Sequence, residues 1–204
     1  MTSSATLGDI PLFPLGTVLF PGGLLPLKIF EQRYLDMTKT CLRDNSPFGV
    51  CLIREGQEVG APASFHVTGC LAEIEQWDMP HPNLFALIAK GGDRFRVVAS
   101  QVERNGLILG QIERLPAAPS PAMVDPACRE VLRQAIERAG RDHVPGPVQL
   151  DDPAWVSYRL AEILPVTAQD KQRLLEISDD LTRLEAIRDM MLAQGIIEKI
   201  NKNN

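Results

Sequence analysis

The chain has 204 residues, of which 45% are hydrophobic and 23% are charged, close to the average for soluble globular proteins. That composition excludes collagen-like, disordered and disulfide-framework classes, and the length is sufficient for a sizeable core. The 26 acidic and 21 basic residues give a net charge of −5. A general nucleic-acid binder carries an excess of positive charge, so binding to nucleic acid is not expected.

The N-terminal region contains an uncharged run at residues 10–27, close to the length that spans a membrane. Four prolines and three glycines interrupt this run, and each proline breaks a helix that lipid would require. We therefore expect short buried strands joined by turns, and no membrane partner. The first residues lack a secretory signal, so the expected location is cytoplasmic.

The region before residue 116 shows strand-like patterns with one helix. The alternation of apolar and polar residues shifts by one position beside Gly69 and again between Val97 and Val98, which predicts a β-bulge at each place. The pair Asn105-Gly106 predicts a hairpin turn. Seven or eight short strands of this kind predict a small barrel. The expected strands are 10–13, 17–20, 24–30, 48–54, 65–76, 84–90, 94–102 and 107–114, and the expected helix is 31–43.

The region after the proline-rich segment 116–122 shows helical patterns. Asp125-Pro126 and Asp152-Pro153 predict helix starts, Thr167 to Asp170 resembles a capping box, and an apolar stripe follows at Leu181, Leu184, Ile187 and Met191. The fold class predicted is α+β, with a barrel subdomain at 1–118 and a helical bundle at 119–204.

Catalytic and metal-binding motifs are absent from the sequence, which has no P-loop, GxGxxG, GxSxG, HExxH or CxxC pattern. The four cysteines (41, 51, 70 and 128) are expected to be buried and reduced. His66 with Cys70, the pair Glu73 and Glu75, and His81 in an expected loop are the only candidates for a small hydrolase, the interpretation ranked last. We expect no enzyme, no metal and no cofactor.

A contact surface is the more promising hypothesis. Trp77 and Met79 lie between prolines in a segment, 77–83, that is expected to join two strands. Exposed, they would anchor a polypeptide partner; alternatively, Trp77 covers one end of the barrel. Arg94 and Arg96 share a strand face and are candidates for gripping an acidic partner, or form an ordinary solvated face.

An ordered set of sequence blocks resembles the N-terminal, substrate-binding domain of Lon proteases over residues 9–193. These blocks include Ile10-Pro-Leu-Phe-Pro-Leu15, Leu25-Pro-Leu-Lys-Ile-Phe-Glu31, Gly91-Gly-Asp-Arg-Phe-Arg-Val97 and Asp152-Pro-Ala-Trp155. Two positions depart from the family pattern, with Gln32 where proline is common and Cys70 where threonine is common.

The resemblance implies a PUA-like β-barrel followed by a helical bundle, in a free-standing member without ATPase or peptidase domains. It further implies a non-enzymatic polypeptide-binding or adaptor module whose partners are unfolded or client polypeptides and an ATP-dependent protease. Trp77, Met79, Arg94 and Arg96 are the candidate polypeptide contacts. The alternative function is RNA or small-ligand binding by the PUA-like barrel, since such barrels also occur in RNA-binding proteins.

Overall fold

The structure is a computed structural model that describes residues 6–115, 123–140 and 144–197. The chain divides into two compact units, Met1–Pro116 and Ala117–Asn204. The boundary expected from the sequence, at residue 118, lies outside the described residues.

The first unit contains six strands and one helix. In chain order these are β1 (Thr6–Leu15), β2 (Leu24–Ile29), α1 (Gln32–Asp44), β3 (Phe48–Glu55), β4 (Ser64–His81), β5 (Leu84–Val102) and β6 (Ile108–Arg114). The sheet order is β2-β5-β4-β3-β1-β6, and an additional β5–β6 pairing closes the last five strands into a ring. Within that ring β1 and β3 are parallel and all other pairs are antiparallel. The strand β2 stands outside it, paired with β5 alone among the described strands.

Two predicted bulges and the predicted hairpin turn are confirmed. The register between β3 and β4 shifts next to the Cys51–Gly69 pair, and that between β5 and β6 shifts after Val97. Gly106 has φ +85°, a left-handed conformation that suits glycine, and its N–H donates to the Glu103 carbonyl at 2.9 Å. The bulges bend long strands enough to close a barrel this small.

The expected number of strands was too high for two reasons. Residues 17–20 are not a strand, although Leu19 and Phe20 are buried. Residues 84–90 and 94–102 belong to one continuous strand, because Gly91 stays in the ladder opposite Ala72. Gly91 is a point of close backbone approach, since a Cβ built there would lie 2.0 Å from the Phe20 carbonyl oxygen.

The expectation of a loop at residues 77–83 was also wrong. The strand β4 continues to His81, and only Pro82 and Asn83 form the turn. Pairing between β3 and β4 ends at Ala72. Residues 73–81, which we call the outer half of β4, therefore have one open edge in the described structure. A proline such as Pro80 is tolerated on an edge, where no neighbouring strand needs its missing N–H.

Helix α1 closes over the barrel core with a strongly apolar face. Tyr34, Leu35, Met37 and Cys41 are buried on that face. The rings of Phe13 and Tyr34 stack with 4.0 Å between centroids, which ties α1 to β1.

The second unit contains four helices, α2 (Pro126–Ala139), α3 (Pro153–Ile163), α4 (Ala168–Glu176) and α5 (Asp180–Ala193), among the residues described. The predicted caps are confirmed, since Asp125 accepts from the N–H groups of Ala127 and Cys128, and Asp152 accepts from Ala154. Thr167 accepts from the N–H of Asp170. Because the Asp170 carboxylate is bonded in return by the Thr167 hydroxyl and N–H, its pKa is lowered, as expected for a capping box.

The core of the second unit includes a buried arginine. Arg183 of α5 donates to the Ser157 hydroxyl at 2.9 Å and the Ile177 carbonyl at 2.7 Å, pairs with Asp180, and lies over the Tyr158 ring. Leu184, Ile187 and Met191 are buried as expected, whereas Leu181 is exposed. The predicted α+β class, with a barrel followed by packed helices, is confirmed.

Candidate functional site

The outer half of β4 presents two large apolar side chains to solvent. Trp77 is 54% exposed and Met79 is 47% exposed. Trp77 pairs with Leu87 in the ladder, and its ring meets the buried Phe85 ring edge-on at 5.8 Å between centroids. The indole therefore contacts a core residue and leaves about half of its surface exposed.

The two candidate arginines of β5 differ from each other and lie away from Trp77. Arg96 is exposed, but Arg94 is only 3% exposed, so the expectation of a solvated face is wrong for Arg94. Arg94 lies opposite the fully buried Cys70, next to the register shift between Cys70 and Ala72, and an irregularity of this kind interrupts the alternation of buried and exposed positions along a strand. Arg96 lies nine residues beyond Leu87, the partner of Trp77, which corresponds to about 30 Å of strand.

A shallow depression of about 590 Å³ lies beside Trp77 on the sheet formed by β2, β5 and the outer half of β4. We call it the outer hollow. Its centre is apolar and its edge carries a cation, an anion and an amide. It is lined by Pro26, Leu27, Lys28, Gln76, Trp77, Asp78, Ala86, Leu87 and Ile88.

A second cavity, of about 360 Å³, lies along the core-facing side of β2, and we call it the inner groove. Its walls come from β1, β2, α1 and the segment after β3, and they include Phe13, Leu15, Thr17, Leu25, Leu27, Ile29, Phe30, Tyr34 and Val59. Phe30 and Val59 are both more than half exposed at this cavity. Burial raises the pKa of the Tyr34 phenol, so that side chain is neutral at physiological pH.

Two carboxylates hold the segment carrying Val59 against the barrel. The Gly16 N–H donates to Glu58 Oε1 at 2.6 Å, and the Gly60 N–H donates to Glu31 Oε2 at 3.2 Å. Glu31 also forms an ion pair with Arg33 at 3.1 Å. The carboxylates of Glu31 and Glu58 thus hold backbone and side-chain groups at one wall of the inner groove, whose other walls are mainly apolar.

The second unit holds a smaller apolar cavity, of about 100 Å³, whose wall includes Arg159 and Glu162. Those two side chains form an ion pair at 2.7 Å, and Lys171 Nζ donates to the Glu162 carbonyl at 2.7 Å. Burial raises the pKa of Glu162 to about 7, with Arg159 and Lys171 opposing that rise. No sequence pattern pointed to Glu162.

Side chains suited to metal binding do not cluster in the residues described. No cluster of three or more His, Cys, Asp or Glu side chains occurs there. His66 and Cys70 lie on strand β4, and Glu73 and Glu75 are exposed, with Glu75 paired to Lys90 at 3.7 Å. All four cysteines are buried and reduced, and burial raises the pKa of Cys51 and brings that of Cys128 to about 12.

Membrane-spanning character is likewise not found in the helices that the structure describes. None of them is long and apolar enough to cross a bilayer.

The fold and the candidate site together define a class: an α+β protein whose barrel carries partly apolar surface cavities. Residues 9–193 match the substrate-binding domain of ATP-dependent protease La (LON). The match covers most of the chain, and the protein belongs to the Lon substrate-binding domain family.

Solved structures agree with this assignment. A crystal structure of a Lon N-terminal domain protein from Xanthomonas campestris is 35% identical, covers 90% of this chain and 98% of its own, and superposes with a TM-score of 0.72. The N-terminal domain of a Mycobacterium avium complex Lon protease shares the fold, with a TM-score of 0.67 and 17% identity over 90% of this chain and 97% of its own.

Complete Lon proteases are also similar to this chain over most of its length. The protease of Paraburkholderia phytofirmans is 28% identical over 92% of this chain, and that of Anaeromyxobacter dehalogenans is 23% identical over 94%. The chain spans 25% and 24% of the length of these two relatives.

Trp77 and Met79 were candidates from the sequence, whereas Lys28, Phe30 and Val59, which line the two cavities, were not. Phe30 was expected to end a buried strand, whereas it is 56% exposed just after β2. The available signal was Pro26 followed by Lys28, since proline and lysine in an apolar strand are typical of a sheet edge.

Proposed function

We propose that the protein is a non-enzymatic module that binds unfolded or client polypeptides through its barrel unit. The observation that carries this proposal is the exposed pair Trp77 and Met79 on a sheet that also bears the outer hollow. Membership of a substrate-binding domain family supports it.

The barrel unit leaves apolar surface at Trp77 and Met79 that a partner can cover. An indole and a thioether gain free energy when a client covers them, and a ring already positioned by Phe85 loses little conformational freedom on binding. Unfolded chains expose the apolar side chains that such a surface buries, whereas folded proteins keep most of theirs inside. Preference for unfolded polypeptide follows from that difference.

The arginines take unequal parts in this proposal. Arg96 adds an exposed positive charge further along β5 and would attract acidic stretches of a bound chain. Arg94, being buried, would contribute through the integrity of the barrel and not through direct contact.

An ATP-dependent protease is the proposed downstream partner. The relatives that cover nearly all of this chain are Lon proteases. We infer that the protein recruits clients for such a protease, and that its own barrel performs recognition only.

The test is a fluorescence anisotropy titration with a labelled, permanently unfolded polypeptide, such as reduced and carboxymethylated α-lactalbumin. The native form of the same protein and a short single-stranded RNA serve as controls. Selective binding of the unfolded form supports the proposal. Salt-sensitive binding of RNA alone would overturn it in favour of the RNA-binding alternative, and absence of binding to the unfolded form would overturn it as well.

A further inference from the structure

The outer edge of β2 has no partner strand in the described part of the chain. The residues Leu24–Ile29 pair with β5 on one side, and no hydrogen bond from another described residue reaches them on the other. An open edge presents a row of backbone donors and acceptors that a further strand can satisfy.

The ladder pattern shows which backbone groups face outward. The Gly91 N–H donates to the Gly23 carbonyl at 2.8 Å, so position 23 faces β5. Since hydrogen bonding alternates along an antiparallel ladder, Leu24, Pro26 and Lys28 face the open edge. Pro26 fits this assignment because it has no N–H to lose from the β5 ladder. The edge therefore offers the N–H groups of Leu24 and Lys28 together with three carbonyls.

The two cavities described above flank this edge on opposite faces. By the strand register, most residues lining the outer hollow share one face of the sheet, where Pro26 lies beside Ile88 and Gln76, and Lys28 lies beside Ala86 and Asp78. The inner groove is lined by Leu25, Leu27 and Ile29, which alternate with Pro26 and Lys28 and lie on the opposite face of β2. Successive side chains of a strand point to opposite faces. A strand added to β2 would thus direct alternate side chains toward the inner groove and the outer hollow.

The charge on this edge indicates the chemistry of the occupant. Lys28 is exposed and forms no ion pair with any described residue. A carboxylate on the added strand would supply its counter-charge. Pairing with the β2 strand of a second copy would not, because Leu-Leu-Pro-Leu-Lys-Ile contains no acidic residue.

We propose that the client binds as an added β-strand on the open edge of β2. The segment recognised is extended, has apolar side chains at alternate positions, and carries an acidic residue opposite Lys28. This inference rests on the proposed polypeptide-binding function and specifies its mode. Pro26 leaves few donors on the edge, which restricts pairing to segments that also fill the cavities.

The test uses the full chain and a labelled peptide as long as the six residues of β2, with alternating apolar residues and one aspartate. Two further versions carry N-methyl groups on the odd-numbered or on the even-numbered backbone amides. Because a strand pairs with β2 along one edge only, one version should lose about tenfold or more in affinity while the other binds like the parent. Equal binding by both versions, or equal loss, would overturn the proposal.

A protein variant provides an independent arm. Lys28→Pro removes the outward N–H, whereas Lys28→Gln removes the charge and keeps the N–H. The proposal expects Lys28→Pro to bind the parent peptide more weakly than Lys28→Gln does, and equal affinities would contradict it. Circular dichroism checks the folding of both variants, and the N-methyl arm stands even if Lys28→Pro does not fold.

The unfolded polypeptide separates the two proposals. If it binds and the parent peptide does not, strand addition on β2 is wrong and polypeptide binding stands. If neither binds, both proposals fail.

Discussion

Trp77 meets Phe85 edge-on, with 5.8 Å between the ring centroids, and keeps about half of its own surface exposed. One face of the indole is thus fixed by the core while the remainder is available to a partner. Rigid aromatic groups positioned in this way carry a large share of the binding free energy at interfaces.

The first prediction concerns this pair of exposed residues. Replacing Trp77 and Met79 together by alanine should weaken the binding of unfolded polypeptide by about tenfold, since both lose apolar surface that a client would cover. Anisotropy titration measures the change. The matched control is the double variant Val98→Ala and Val102→Ala, which removes two exposed apolar side chains from β5 and leaves those of β4 in place. Equal losses in the two double variants would argue against a specific surface at Trp77.

The second prediction tests the close approach at Gly91. A Cβ at this position would lie 2.0 Å from the Phe20 carbonyl oxygen, whereas a Cβ on the neighbouring Gly92 would meet nothing closer than 3.6 Å. Gly91→Ala should destabilise the barrel unit by about 3 kcal/mol or more, and Gly92→Ala by about 1 kcal/mol or less. Urea unfolding measures both, and similar midpoints would show that the backbone can move apart at Gly91 without cost.

The third prediction concerns the buried arginine of the helical unit. Arg183→Ala leaves Asp180 buried without its guanidinium partner and should cost about 3–5 kcal/mol. The variant Arg183→Lys should also be destabilised, because a lysine ammonium cannot reproduce the separate guanidinium donors that reach Ser157 and Ile177. Arg173→Ala is the control, since its ion pair with Asp170 lies at the surface and contributes little to stability. Thermal unfolding that ranks the two variants equally would contradict this assignment.

The fourth prediction is a pH dependence of stability. Burial raises the pKa of Glu162 from 4.5 to about 7, so the folded state binds an extra proton between these values and loses stability as the pH rises through them. The Glu162 side chain is 27% exposed, and screening by solvent reduces the change in the free energy of unfolding to about 1–2 kcal/mol.

Comparison with Glu162→Gln isolates this contribution from that of other carboxylates. The glutamine variant should gain stability over the parent protein as the pH is raised from about 5 to about 8, by the amount that the parent loses at Glu162. A constant difference between the two proteins across this range would show that Glu162 titrates normally.

Local signals predicted the parts of the fold that depend on neighbouring residues. The starts of α2 and α3 were evident from Asp125-Pro126 and Asp152-Pro153, because an N-cap and a following proline act within one helical turn. The bulge after Val97 was evident because the alternation of apolar and polar residues shifts by one position within a single strand.

Features set by distant contacts were not predictable in this way. The segment 77–81 is a strand because β5 pairs with it, and Pro80 is tolerated because β3 ends its pairing at Ala72. The inner groove depends on Val59 being held in place by bonds from Gly16 to Glu58 and from Gly60 to Glu31. These bonds join residues 42 and 29 positions apart, and no local pattern encodes them.

The most direct test of the central claim is to map the client-binding surface by amide NMR shifts on the full chain, titrated with the unfolded polypeptide. Polypeptide recognition by the barrel predicts shifts concentrated in β2, in residues 76–88 and around Phe30 and Val59. Shifts confined to α2–α5, or to the strand β6, would contradict it.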